Sequence, residues 1–285
     1  MNIRKSVRNL LPEELLKLRV AFDKFMKIKD DRGYGYWAGI HGLPLPISCV
    51  HGEVFVRGID PNFRLFLPWH RAYLHLFELA LQDAASDHTI TIPYWDWSND
   101  KFRKQGIPKA YSDPTYSDPA GNKVPNPLFK YHVKLPPVDL SRFVDETECP
   151  KYQTLSYDTS REPNIGQIPT SAEVREVLAL NDYGDFSDGL EDLHNRVHGA
   201  TGGHCGDMNN PAFAAFDPIF WAHHSMIDRL FYLWQQDTKH SIPTNLYNIA
   251  LGGFGRTSVT LGQVLNTYQL GYEYASHRKL VHMGV

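Results

Sequence analysis

Residues 190–199 read LEDLHNRVHG and set two histidines, His194 and His198, four positions apart. Four residues make about one helical turn, so on a helix both imidazoles leave the same face, with β-carbons about 5–6 Å apart. Leu190 and Val197 share or flank that face, so the pair points toward a core. Such a pair can grip one metal ion. Two core histidines bonded to their neighbours would meet the same spacing.

The pair has company. Residues 217–235, DPIFWAHHSMIDRLFYLWQ, carry His223 and His224 on a second apolar helix. Phe220, Ile227 and Phe231 form a stripe that puts His224 on its inward face, with His223 about 100° round the helix and supporting it from behind. Asp228, one turn after His224, is placed to accept from an imidazole N–H. His70 lies on the apolar face of Tyr73, Leu74, Phe77 and Leu81, in a helix that starts near Pro68. His41 closes a short helix over 33–41. Four helices each sending histidine inward point to a metal, because a buried imidazole needs partners for both nitrogens.

Imidazole suits zinc, copper, iron and nickel. A zinc peptidase wants glutamate directly after the first histidine of the pair, and Asn195 stands there. A carboxylate-bridged di-iron bundle needs two Glu-x-x-His motifs. Only one, Glu191 to His194, is found, so an all-histidine site favours copper.

Around these helices the chain is mainly α, with long irregular loops. Pro12 and the acidic pair after it suit a first helical turn, and apolar residues follow at helical spacing. Residues 98–169 are rich in Pro, Asp, Ser and Tyr without sustained periodicity, which predicts a long surface excursion. TSAE, residues 170–173, has the form of a capping box opening a helix through Leu180. Asp217 and Pro218 predict an N-cap followed by proline at the first helical position. Beyond Leu246 the chain has weak strand or turn character. With no repeat or long linker, one domain over 1–285 is expected.

A length of 285 residues can bury a large core, and a formal charge of −3 argues against a nucleic-acid or anionic-membrane partner. No apolar run nears the roughly 20 residues of a membrane span. The first residues lack the apolar stretch of a signal peptide, so the chain as given reads as soluble and cytoplasmic, or secreted if a leader was trimmed. Three cysteines, Cys49, Cys149 and Cys205, make no disulfide framework; one pair can form, and the spacing does not say which.

The histidine stretches resemble a known family. FLPWHRAYLHLFE, residues 66–78, is similar to the first copper motif of tyrosinases, catechol oxidases and molluscan haemocyanins. LEDLHNRVHG and DPIFWAHHSMIDRLFYLWQ resemble their second copper region. IPYWDWS (92–98) and GYEYA (271–275) are further landmarks, and the likeness runs from Arg4 to Tyr274 in the family's order. The resemblance implies a four-helix bundle enclosing a dicopper site, with three histidines on each ion. His41 and His70 then hold the first copper, and His194, His198 and His224 the second, with His223 the weaker candidate. The family's middle ligand of the first copper falls nine residues before His70, where Pro61 stands. His51 is the only histidine between His41 and His70, and CVHG resembles the Cys-x-His of fungal tyrosinases and molluscan haemocyanins. His51 is therefore aligned with that ligand, with an insertion within 53–65 that includes Gly58 and Pro61. Cys49 is either thioether-linked to His51 or free.

The resemblance implies that two copper ions and O2 as co-substrate convert a phenolic small molecule. Monophenols are hydroxylated ortho to the oxygen, and o-diphenols become o-quinones. Glu191 and Asn195 match the glutamate and asparagine that hold a water beside the second copper, which points to tyrosinase. Catechol oxidase and o-aminophenol oxidase are the nearer alternatives. A haemocyanin-like oxygen carrier is the more distant one, since carriers shield the site with a further domain and this sequence ends soon after YEY. Phe220 is expected to pack on His224, with Met208 and Asn209 at the substrate entrance. Glu78 is expected in a buried ion pair and Arg4 on the tyrosines 272 and 274. His204 is the least settled of the remaining histidines, since GGHCG follows the pair so closely. A helper protein that delivers copper fits the family, and the oligomeric state is open.

Overall fold

Helix α1 (Pro12–Lys27) buries Leu18, Ala21, Phe22 and Phe25, the i, i+3, i+4, i+7 stripe of an amphipathic helix, while its charged side stays in water. Pro12 starts it, Glu13 and Glu14 lie in its first turn and Lys24 and Lys27 in its last, all matching the helix dipole. The stripe rests on α3 (Phe66–Ala85) and beside α2 (Tyr34–His41). Phe22, Phe25, Tyr34, Phe77 and Trp221 meet there in tilted, edge-on or stacked contacts. The computed structural model describes residues 1–44, 64–255 and 257–275. Cys49, His51, Gly58 and Pro61 lie outside them.

Chain order continues with the short helices α4 (Asp100–Arg103) and α5 (Lys109–Ser112), then α6 (Ser171–Leu178) and α7 (Tyr183–Gly202). Helix α8 (Ile219–Gln235) and the single turn α9 (Leu261–Val264) are the last α-helices among the described residues. Thr170 caps α6 in the expected box, its oxygen accepting from Glu173 N–H while Glu173 accepts from Thr170 N–H. Asp182 caps α7 by accepting from Asp185 N–H. Helix α8 is buried nearly all round, as its near-continuous apolar sequence requires. It begins at Ile219, one residue later than the sequence suggested. Asp217 still accepts from Ile219 N–H at 3.2 Å, and its carboxylate is also held by Arg161. Helix α3 packs on α1, α7 and α8, so α2, α3, α7 and α8 surround one interior.

The strands are short. β1 (Asn2–Arg4) runs parallel to β8 (Tyr272–Tyr274), joining the two ends of the described chain. β2 (Thr115–Ser117) with β3 (Lys123–Pro125), and β4 (His132–Lys134) with β5 (Ser156–Asp158), are antiparallel pairs inside the long excursion. β6 (Ala250–Phe254) and β7 (Thr257–Thr260) form an antiparallel pair after Leu246, where the sequence showed only weak strand or turn character. A disulfide joins Cys149 to Cys205, which resolves the pairing that spacing left open.

The closure of β1 on β8 is made by buried charge. Arg4 is fully buried, lies 3.6 Å from the centre of the Tyr272 ring, and pairs with Glu78 and with Asp228, each at 3.0 Å. Arg71 holds the other oxygen of Asp228, while Tyr272 and Tyr274 donate to the oxygen that Arg4 holds, at 2.7 and 2.6 Å. Two cations meet two anions, so this cluster carries no net charge. Burial alone would raise the Asp228 pKa; Arg71 and Arg4 overcome it and hold the carboxyl below its ordinary value. The expected role of Asp228 is thereby corrected. Its carboxylate serves two arginines and two tyrosines, not an imidazole, because those charges face it across the helix pair.

Candidate metal centre

The interior of α2, α3, α7 and α8 is lined by histidine. His41, His70 and His224 bring one ring nitrogen each within 4.8 Å of one another, and so do His194, His198, His223 and His224. All of these rings are buried.

Around the second group the geometry is specific. His224 Nε2 lies 3.3 Å from His194 Nε2 and 3.4 Å from His198 Nε2. Three nitrogens held about 2.0–2.1 Å from one tetrahedral ion would be separated by about 3.3–3.4 Å. The donor set and its spacing therefore fit a single ion. The other ring nitrogens are assigned elsewhere. His198 Nδ1 donates to the Met208 carbonyl at 2.6 Å, and His194 Nδ1 lies 2.9 Å from Asn195 Oδ1. His41 Nδ1 donates to the Pro211 carbonyl and His70 Nδ1 to the Phe66 carbonyl, both at 2.9 Å. Each acceptor fixes a tautomer and leaves Nε2 facing inward with its lone pair. Among the described residues His224 Nδ1 has no hydrogen-bond partner. Burial, and then the neighbouring histidines, push the His224 pKa well down, so the ring stays neutral and able to ligate.

Aromatic rings lock these imidazoles. Phe220 lies 4.1 Å from His224 and meets His41 edge-on at 4.9 Å, wedged between the groups. Phe66 lies 4.5 Å from His70 and 4.7 Å from His194, a bridge of the same kind on another side. His70 stacks on His224 at 4.3 Å. His223 stacks on His194 at 5.0 Å, and among the described residues neither of its nitrogens has a well-formed hydrogen bond. Burial pushes its pKa down to about 3, with the His194 backbone opposing.

Glu191 is 7% exposed, one turn before His194. Arg64 stands nearby, bonded to Asp188 and held above its ordinary pKa chiefly by that bond, with the charge of Glu191 adding to it. Asn195 contacts His194 directly. Met208 is buried and Asn209 exposed, in the loop between α7 and α8. His204 is well exposed beside Glu148, and His132 and His240 bond Asp158 and the Trp234 carbonyl. His75 stacks on Tyr272. His277 and His282 lie outside the described residues.

Sequence reasoning overlooked the main-chain acceptors at Phe66, Met208 and Pro211, and the Phe66 bridge. Backbone carbonyls leave no residue-type signal, though the asparagine-proline turn at 210–211 marks where such a loop bends.

A helical interior with two converging histidine groups, sharing His224, fits a dinuclear metal site. Residues 31–237 match the common central domain of tyrosinase, and the chain belongs to that family. Hemocyanin A-type, units Ode to Odg, of Enteroctopus dofleini is 32% identical over 253 residues, covering 83% of this chain and 18% of its own. The tyrosinase of Podospora anserina is 28% identical over 293 residues, covering 82% and 51%. The chain thus spans about half of that tyrosinase and a small part of the multi-unit hemocyanin. Among solved structures, the tyrosinase from Burkholderia thailandensis superposes with a TM-score of 0.80 at 20% identity, over 98% of this chain and 75% of that one. A functional unit of octopus hemocyanin gives 0.71 at 24%, over 96% and 68%.

Proposed function

We propose that the chain is a dicopper oxidase that ortho-hydroxylates monophenols and oxidises o-diphenols to o-quinones with O2. The observation that carries this reading is the convergence of three Nε2 atoms from His194, His198 and His224 at ligand spacing, with buried Glu191 one turn away. His194, His198 and His224 hold the second copper, and His41 and His70 hold the first together with His51. The coppers, when bound, supply the O2 chemistry. The protein's part is to keep the imidazoles neutral, oriented and dry.

Phenols ionise near pH 10, so at neutral pH a monophenol arrives protonated. Glu191 takes that proton, directly or through a water it holds. Asn195 fixes the His194 ring through Oδ1, which leaves its amide N–H groups for the water. Phe66 and Phe220 keep the imidazoles in place by packing on His70, His194, His41 and His224. Met208 sets His198 through its carbonyl, and exposed Asn209 belongs to the rim by which substrate enters.

The direct test supplies tyramine and the matching catechol to copper-loaded protein. Both turn over on this reading. Catechol turnover without hydroxylation would identify a catechol or o-aminophenol oxidase. The relatives at 32% identity favour one other reading, an oxygen carrier. Reversible oxygen binding without turnover of either substrate would select it.

A further inference from the structure

The segment GGHCG, residues 202–206, starts at the last residue of α7 and contributes no histidine to the interior groups. It places Cys205 against Cys149, with His204 between the disulfide and water. One donor atom from each of Cys149, His204 and Cys205 lies within 4.8 Å of the others. Cys149 is buried, Cys205 half-buried, and the His204 side chain 67% exposed. They line a surface cleft of about 170 Å³ with Glu148, Asn209 and Asn210.

We propose that, once the Cys149–Cys205 bond is reduced, these three residues form a further metal site that takes one Cu(I) ion. Two thiolates and one imidazole are a soft three-donor set, which suits Cu(I) over the four-coordinate preference of zinc. Metal–sulfur bonds of about 2.3 Å put two thiolates on one ion about 4 Å apart. Cα atoms 5.4 Å apart allow that by side-chain rotation alone. His204 exchanges its 3.2 Å contact with Glu148 for the ion. The surrounding backbone is held independently of the disulfide. Glu162 Oε2 accepts from the N–H groups of His204 and Cys205, and Asp207 accepts from Ser160 N–H and pairs with Lys151. Asp207 and Met208 follow within three residues, and the Met208 carbonyl holds the His198 ring. An ion at this cleft therefore sits on the loop that supports the second copper.

The chemistry balances in two steps. A dithiol reductant supplies two electrons and two protons; the S–S bond breaks, two S–H bonds form, and the reductant becomes a disulfide. Binding Cu(I) then releases both thiol protons to solvent, with no electron transferred.

The test uses full-length, copper-loaded protein without oxygen, titrated with Cu(I) in competition with bicinchoninate, before and after reduction by a phosphine. One additional equivalent per chain is expected only after reduction. Alkylation mapped by mass spectrometry should show Cys149 and Cys205 protected by that ion. Cys205→Ser should lose the extra equivalent. His204→Ala, at an exposed position that does not threaten folding, should weaken it at least tenfold. The same stoichiometry before and after reduction would overturn the proposal. So would undiminished binding in His204→Ala, alkylation of both cysteines unaffected by Cu(I), or displacement of Cu(I) by equimolar Zn(II).

Discussion

At the scale of single residues, the site is a problem of tautomers. An imidazole ligates through one nitrogen only when the other has a defined partner or is sealed from water, and four of the five described proposed ligands have such a partner. The histidines themselves were legible in the sequence, because a four-residue step on a helix is geometry that spacing encodes. Their acceptors were not, since three are main-chain carbonyls supplied by the fold. Asp228 shows the converse error. Its position one turn from His224 suggested an imidazole partner, yet Arg4 comes from 224 positions away to claim it. Glu191→Gln keeps the size of the side chain and removes its basicity. Hydroxylation of tyramine is expected to fall about 10²-fold or more while catechol oxidation changes by only a few fold, as initial rates would show. Equal rates of hydroxylation in the two proteins would remove Glu191 from the proton transfer.

At the scale of elements, the four histidine-bearing helices were readable from period and caps, and α2, α3 and α8 start within two residues of the expected positions. The excursion 98–169 was legible only as irregular. Its two strand pairs are three residues long and are stabilised by tertiary anchors such as Arg161 on Asp217, which no local pattern reports. The junction of α7 with the following loop is where an element constrains the site. A β-carbon on Gly202 would lie 2.3 Å from the Asn209 backbone nitrogen, so Gly202→Ala must push away the loop that holds His198. The expected cost is about 1–3 kcal/mol in urea unfolding, with weaker retention of copper. Unchanged stability would show that the loop yields freely. Asp228→Ala leaves Arg4 and Arg71 buried without their shared anion, and about 3–5 kcal/mol of stability should be lost, read as a lower denaturation midpoint. A loss below 1 kcal/mol would mean that the cluster does not hold β1 and β8 to the bundle.

Across the whole molecule, buried imidazoles make stability depend on pH. Burial, with Arg4 adding to it, pushes His75 down to about 4, and His223 is held near 3, both from an ordinary 6.5. A folded pKa below the unfolded one means that the unfolded chain binds more protons. The stabilisation is therefore complete above about pH 6.5 and is lost as pH falls toward 4 and then 3, at up to about 1.4 kcal/mol per pH unit for each such group. Metal-free protein should melt at steadily lower temperature from pH 7 to pH 4 in a calorimeter, and a flat profile would show that these rings are solvated. Bound copper opposes the trend at fixed pH, because it binds only the folded, deprotonated histidines. That two histidine groups exist was legible in the sequence. That Phe66, Phe220 and the His70–His224 stack join them into one interior was visible only in three dimensions. The central claim, that these groups hold a pair of copper ions, is tested most directly by the copper content of the loaded, unreduced full-length protein by atomic emission. Two ions per chain are predicted, falling to about one in His198→Ala. A content of one or fewer in the unaltered protein, or two retained in His198→Ala, would contradict it.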